Sequence, residues 1–267
     1  MITREIKSKI LERFENREEK MLVSNVLDKA YRFEKTEKLE YTCFLNLNEY
    51  NVVSQILDYL KIEYETYVSN KYSDKKVIFF VPSYISKDNK LYSEYITCIK
   101  IVPNVKGKLQ HKDFMGCIYN LGIKREVIGD IFVINDVCYF FLMSSVKDYV
   151  LTNLTRVGNQ EVTLTEIELD SDELQNIQVN IIDKEYIVPS LRVDAVCSTV
   201  FNLSRNEIKE KIVKGDMCIN DKVSYYPSDV IKENDIISLR RCGKIVIKEQ
   251  VRNTKSGNIV LNIGRFS

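Results

Sequence analysis

The stretch PSLRVDAVCSTVFNLSRNEIKEKIVKGDMCINDKVSYYPSDVIKENDIISLRRCGKIVIKE, Pro189 to Glu249, encodes two short amphipathic helices followed by a run of small strands. Ser190, behind Pro189, is the expected N-cap of a first helix that buries Val193, Val196, Cys197, Val200 and Phe201, with Asp194 near its positive end. Ser204 and Glu207 form an S-x-x-E capping box, so a second helix starts there and turns Ile208 and Ile212 inward together. Arg205 and Lys209, also four apart, share a different face of that helix. Gly215 ends it. Strands are expected at Met217–Ile219 and Val223–Tyr225, joined by a turn at Asn220–Asp221, then at Ile236–Arg240 and Lys244–Ile247.

This arrangement groups Arg192, Ser204, Arg205 and Lys209 around a helix start, where free backbone N–H groups favour phosphate. Lys222, Arg240, Arg241 and Lys244 fall on hairpin or strand ends, from which side chains reach a groove. Such a surface recognises folded RNA by shape and phosphate, without a base code.

The charge distribution agrees. The chain carries a net charge of +1, yet Ile187–Ser267 holds 14 Lys and Arg against 9 Asp and Glu, leaving 25 against 29 elsewhere. A basic end on an acidic body suits one polyanion-binding face. At 267 residues there is room for about two domains, and 45% hydrophobic with 29% charged residues describes a globular chain. No apolar run approaches the ~20 residues needed to cross a bilayer, and MITREIKSKILERFENREEK has no apolar signal core. A cytoplasmic protein without membrane contact is expected. The seven cysteines form no C-x-x-C pair and read as reduced, mostly buried thiols. With His111 as the single histidine, no metal site is expected. His111 and Asp113 lack a nucleophile or substrate constellation, so structural or capping roles are expected for both.

Upstream, Ile2, Ile6, Ile10 and Phe14 repeat every four residues and predict a helix, and Glu18–Phe33 predicts another. A strand at Tyr41–Leu47 is followed by a helix capped by Asn48 and running to about Leu60. Strands are expected at Tyr64–Val68, Val77–Val81, Tyr95–Val102, Ile131–Ile134, Val137–Leu142, Val162–Leu164 and Leu174–Ile182, with SNKYSDKK (Ser69–Lys76) a turn-rich connector. Asn135–Asp136 is the expected tight hairpin turn. One helix bears Phe114, Cys117, Ile118 and Leu121 and stops at Gly122. Another opens at Ser144 and Ser145 and turns Val146, Tyr149, Val150 and Leu154 inward. Strands mixed with helices in this order define an α+β chain. Lys124 and Arg125, displayed just beyond Gly122, are the expected secondary RNA contact.

The C-terminal stretch resembles the S-four (alpha-L) RNA-binding domain. The matching features are R-x-D-A at Arg192–Ala195, L-S-R at Leu203–Arg205, the hairpin Gly215–Lys222 and the D-I-I-S-L-R strand at Asp235–Arg240. The usual V-N-G-K turn stands here as Ile219-Asn220-Asp221-Lys222, without its glycine. H-K-D-F-M-G at His111–Gly116 and L-G-I-K-R-x-x-I-G-D-I at Leu121–Ile131 extend the likeness to the bacterial YlmH family, related to RqcP of ribosome-associated quality control. At Ser69–Lys76 the chain departs from the glycine-rich, basic pattern of that family.

The resemblance implies a helix-rich α+β N-terminal region (1–75), an RRM-like middle domain (76–184) and an S-four-like domain (185–267). It implies a non-catalytic protein without cofactor or small-molecule substrate. Its implied partners are large-subunit rRNA and tRNA on the ribosome, in quality control of stalled nascent chains, and a monomer is expected. The RNA-binding residues are then Arg192, Ser204, Arg205, Lys209, Lys222, Arg240 and Arg241. The alternatives are a cell-division-associated interaction protein and an RNA-modifying enzyme. For the latter, no glycine-rich cofactor loop follows a strand.

Overall fold

The computed structural model describes residues 2–70, 72–86, 89–105, 107, 109–175, 177 and 181–266. The chain divides into two compact units, Met1–Gln178 and Val179–Ser267.

Unit 1 begins with α1 (Arg4–Leu11) and α2 (Arg17–Thr36), capped by Thr3 and Asn16, whose side chains accept backbone N–H bonds. Short strands β1 (Glu40–Tyr41) and β2 (Leu45–Asn46) precede α3 (Leu47–Tyr59). The α3 cap is Asn46 in place of the expected Asn48, because Glu49 sits three residues on and completes a capping box with it. β3 (Glu65–Val68) and β4 (Lys75–Phe80) complete a four-stranded antiparallel sheet in which β4 pairs with β1, β2 and β3. Strand β4 thus belongs with the N-terminal helices, which pack Val23, Leu27, Val53 and Leu57 against its Ile78 and Phe80. Within the connector before it, Lys71 lies outside the described residues.

After α4 (Asn89–Ser93) come β5 (Ile96–Pro103), α5 (His111–Asn120), β6 (Ile128–Ile134), β7 (Val137–Met143), α6 (Lys147–Asn153), β8 (Arg156–Val157), β9 (Gln160–Ile167) and α7 (Asp172–Gln175). The antiparallel sheet order is β6-β7-β5-β9-β8, so β5 to β9 follow a split βαβ arrangement. Asn135 and Asp136, both at positive φ, make the two-residue turn between β6 and β7. One sheet face packs Ile99, Ile101, Phe140 and Leu142 against Phe114 and Ile118 of α5 and Val150 of α6. The other packs Cys98, Tyr139, Phe141 and Met143 against Tyr67, Val77 and Phe79 of the first sheet and Phe44, which immediately precedes β2. Tyr149 does not turn inward; it is half exposed, with its hydroxyl donating to the Leu121 carbonyl.

Two residues of the I-G-D segment secure that sheet-to-sheet contact. A register shift between Ile128 and Ile131 takes Gly129 and Asp130 out of the ladder. A Cβ on Gly129 would lie 2.7 Å from Phe44 Cζ and 2.9 Å from Phe141 Cβ, so only glycine admits the Phe44 ring. Asp130 Oδ2 accepts from Ser69 Oγ and Ser73 Oγ, both at 2.5 Å, fastening the connector before β4. Burial raises the Asp130 pKa, outweighing those two bonds.

Among the described residues, the strand expected at Leu174–Ile182 is present only at Ile181 and Ile182. Ser171 accepts the amides of Leu174 and Gln175 and starts the short helix α7, and the next strand begins only at Ile181. Residues 176 and 178–180 lie outside the described residues.

Unit 2 contains β10 (Ile181–Val188), α8 (Val193–Phe201), α9 (Arg205–Val213), β11 (Met217–Ile219), β12 (Lys222–Val223), β13 (Ile236–Leu239), β14 (Gly243–Asn253) and β15 (Ile259–Phe266). Its antiparallel sheet runs β10-β15-β14-β13-β11-β12. Val193, Val196, Cys197, Ile208 and Ile212 of the two helices share one core with Ile237, Leu239, Ile245, Ile247 and Ile263 of the sheet. Asn220 and Asp221 both take positive φ and close the β11–β12 turn without a glycine. The β14–β15 hairpin extends the sheet well beyond the four strands expected.

Candidate nucleic-acid interface

The starts of α8 and α9 meet at a buried carboxylate. Asp194, in the first turn of α8, has a fully buried side chain. Its Oδ1 accepts from Arg192 Nε at 3.1 Å and from Arg205 Nη2 at 3.0 Å, while Oδ2 lies 3.3 Å from Arg192 Nη2. Both arginines remain about half exposed, so one acid holds two cations side by side at the surface. Burial works against the Asp194 charge, but hydrogen bonds from Arg192 and Arg205 win and hold its pKa below the ordinary Asp value. The same pairing raises the pKa of Arg192.

Backbone geometry explains why the clamp sits there. The expected cap, Ser190, lies outside α8, and Arg192 takes the N-cap position without a side-chain capping bond. Carbonyls of the 224–231 loop do that work: Val193 N–H donates to Asp229 O at 2.8 Å and Asp194 N–H to Pro227 O at 3.3 Å. Ile231 N–H bonds Leu191 O, and Arg192 bridges Val230. With the helix start satisfied by main chain, Asp194 is left to bind guanidinium groups.

On α9, Ser204 Oγ accepts from Glu207 N–H at 3.2 Å and Glu207 Oε2 accepts from Ser204 N–H at 2.8 Å, completing the capping box. These bonds keep Glu207 below the ordinary Glu pKa. Lys209 is exposed one turn beyond Arg205. Arg192, Ser204 and Arg205 therefore meet at one end of the helix pair, with Lys209 midway along α9.

Arg240 and Arg241 lie elsewhere. Arg240 N–H donates to Asp216 O, and its guanidinium approaches Asp216 Oδ1 at 3.6 Å. Asp216 follows the far end of α9, a helix roughly 12 Å long at 1.5 Å rise per residue. Arg241 occupies the β13–β14 turn at φ +64. Arg265 joins this second group, donating to Cys242 O at 3.4 Å with its guanidinium over the Phe201 ring. Lying on β15, it had no local signal linking it to Arg241. Lys222 is exposed on the edge strand β12. Lys244 does not point to a groove: it is buried, and its ammonium lies 5.7 Å from the centre of the Phe266 ring.

In unit 1, Lys124 is 82% exposed beside Glu126, and the Arg125 guanidinium lies 5.4 Å from the centre of the Tyr119 ring. Asp113 caps α5 by accepting from Gln110 N–H at 2.8 Å, and His111 Nε2 lies 3.1 Å from Ile131 O. Asp113 thus takes the capping role expected of it. Four of the seven cysteines are buried, and burial pushes the Cys197 thiol up to about 12. Among the described residues, no His, Cys, Asp or Glu group is arranged to hold a metal, and no helix is long and apolar enough to cross a membrane.

Residues 95–171 match the family model described as the putative RNA-binding domain in YlmH. The chain is 23% identical over 239 residues to the ribosome-associated protein quality control protein P2 of Bacillus subtilis, covering 90% of this chain and 92% of that one. A solved structure of the cell division protein YlmH from Streptococcus pneumoniae matches its fold with a TM-score of 0.50 at 16% identity, covering 62% of this chain and 98% of that one. The family model is described by RNA binding, and the Bacillus subtilis relative is named for association with the ribosome. By its motifs, its middle domain and nine-tenths of its length, the chain resembles the YlmH family of RNA-binding proteins.

Proposed function

We propose that the chain is a cytoplasmic, monomeric, non-catalytic RNA-binding factor that acts on the ribosome and grips rRNA of the large subunit, and tRNA, in quality control of stalled nascent chains. One observation carries the RNA-binding part: Asp194 fixes Arg192 and Arg205 side by side, half exposed, at the start of two helices. Two held guanidiniums present paired positive charge to a phosphate backbone and lose little freedom on binding. Ser204 and Lys209 extend the grip along α9, and Lys222, Arg240 and Arg241 widen the basic surface. The similarity to a ribosome-associated quality control protein over nine-tenths of the chain supports the ribosome as the place of action.

Co-sedimentation tests the reading. The protein should pellet with purified large subunits, and the Arg192→Ala/Arg205→Ala variant should remain in the supernatant. Equal pelleting of the two proteins would remove the site, and failure of the native protein to pellet would remove the ribosomal reading.

A further inference from the structure

In the RNA-recognition form of the split βαβ fold, aromatic side chains on the two central strands stack bases on the face away from the helices. The central strands here are β5 and β7, and that face is closed. Cys98, Tyr139, Phe141 and Met143 are each at most 8% exposed, covered by Phe44 and by Tyr67, Val77 and Phe79 of the first sheet. Its polar groups are also engaged, since Tyr139 Oη donates to Glu173 at 2.7 Å and Lys100 pairs with the same carboxylate at 2.5 Å. A base cannot stack there while unit 1 is folded.

The helix side carries an open alternative. Gly122, at φ +74, turns the chain sharply after α5. Tyr119 lies near the end of α5 and Tyr149 on α6, and they are 38% and 48% exposed. Tyr149 Oη donates to Leu121 O at 3.0 Å, and Arg125 lies over Tyr119. Lys124 is 82% exposed, 3.8 Å from the exposed Glu126 carboxylate. An exposed ring beside Arg125, a second ring bonded to the same turn and an exposed lysine are the components of a single-strand binding platform, in which rings stack bases and cations hold phosphates.

We propose that the middle domain binds unpaired RNA nucleotides at the 119–125 turn, stacking a base on Tyr119 or Tyr149 while Lys124 and Arg125 hold the flanking phosphates. The proposal rests on the reading of the chain as an RNA-binding protein. It assigns the middle domain single-stranded segments and leaves shape-based binding to unit 2.

The test compares the full-length protein with its Tyr119→Ala/Tyr149→Ala variant on a labelled single-stranded RNA of roughly 12 nucleotides and on the matching duplex. The variant should lose about tenfold in single-strand affinity and keep its duplex affinity. Unchanged single-strand binding by the double alanine variant overturns the platform while the RNA-binding reading stands. Native protein that binds neither RNA overturns both. Should the double variant unfold, photocrosslinking of 4-thiouridine RNA to the native protein decides: a crosslink within 111–125 or at Tyr149 supports the platform, and its absence from both refutes it.

Discussion

Asp194 and Arg205 are bonded at 3.0 Å, Oδ1 to Nη2, across eleven positions of sequence, and this bond ties the start of α8 to the start of α9. With Arg192 on the same carboxylate, the acid acts in the proposed RNA grip without itself facing RNA. It fixes the positions of the two cations.

Removing the acid should therefore weaken RNA binding even though the net charge becomes more positive. Asp194→Ala is expected to lower RNA affinity several-fold and to cost about 1–2 kcal/mol of stability, a low value because both arginines can turn to water. Asp194→Asn, which keeps an acceptor, should lose less of each. Tighter binding by Asp194→Ala, the outcome of charge counting alone, would show that placement is irrelevant. Thermal melts and filter binding at fixed salt measure both effects.

The depressed pKa of Asp194 has a pH signature. Between the folded value and the unfolded value near ~3.9, the unfolded chain binds more protons, so stability rises with pH across that window. The contribution of Asp194 is fully present above the unfolded value and is lost as pH falls through the folded one. Melts should show a flat contribution at neutral pH and a decline below about pH 4, shallower in Asp194→Asn. An identical acid decline in both proteins would contradict the pairing.

Gly129 should be intolerant and Gly116 tolerant. A methyl group at Gly129 meets the Phe44 ring and Phe141 Cβ below 3 Å, and Phe141 Cβ cannot swing away. Gly129→Ala is expected to cost about 1–3 kcal/mol through overpacking. Gly116, inside α5, has nothing within 4 Å of its would-be Cβ. Gly116→Ala should stabilise by roughly 0.5–1 kcal/mol through helix propensity. Denaturant melts of the two variants should move in opposite directions; parallel shifts would count against the sheet-to-sheet packing.

The β11–β12 turn offers a stabilising change. Asp221 holds φ +65, a conformation that glycine adopts at less cost. Asp221→Gly should raise stability by up to about 1 kcal/mol and leave the Arg192–Asp194–Arg205 clamp intact. A lowered melting temperature would mean that the aspartate side chain supports the turn.

Much of this was legible from residue spacing. The capping box at Ser204 and Glu207, the turns at Asn135–Asp136 and Asn220–Asp221, and the stop at Gly122 depend on neighbours in sequence, and the structure contains each one. What escaped depended on partners far along the chain. Ser190 is a good cap by type, but carbonyls of Pro227 and Asp229 satisfy the start of α8. Asp194 reads locally as a dipole partner, and only folding brings Arg205 to it. The motif glycine at 129 has no local reason at all; its reason is Phe44, which precedes β2. Lys244 looked displayed at a strand start, yet its neighbours bury it.

The most direct test of the central claim is the salt dependence of RNA binding by the native protein and by Arg192→Ala/Arg205→Ala. If both arginines hold phosphates, the slope of log affinity against log salt should become shallower by roughly 0.7–0.9 for each lost contact, with weaker binding at low salt. Equal slopes and equal affinities would mean that the clamp at Asp194 is a structural ion pair, and that RNA is held elsewhere.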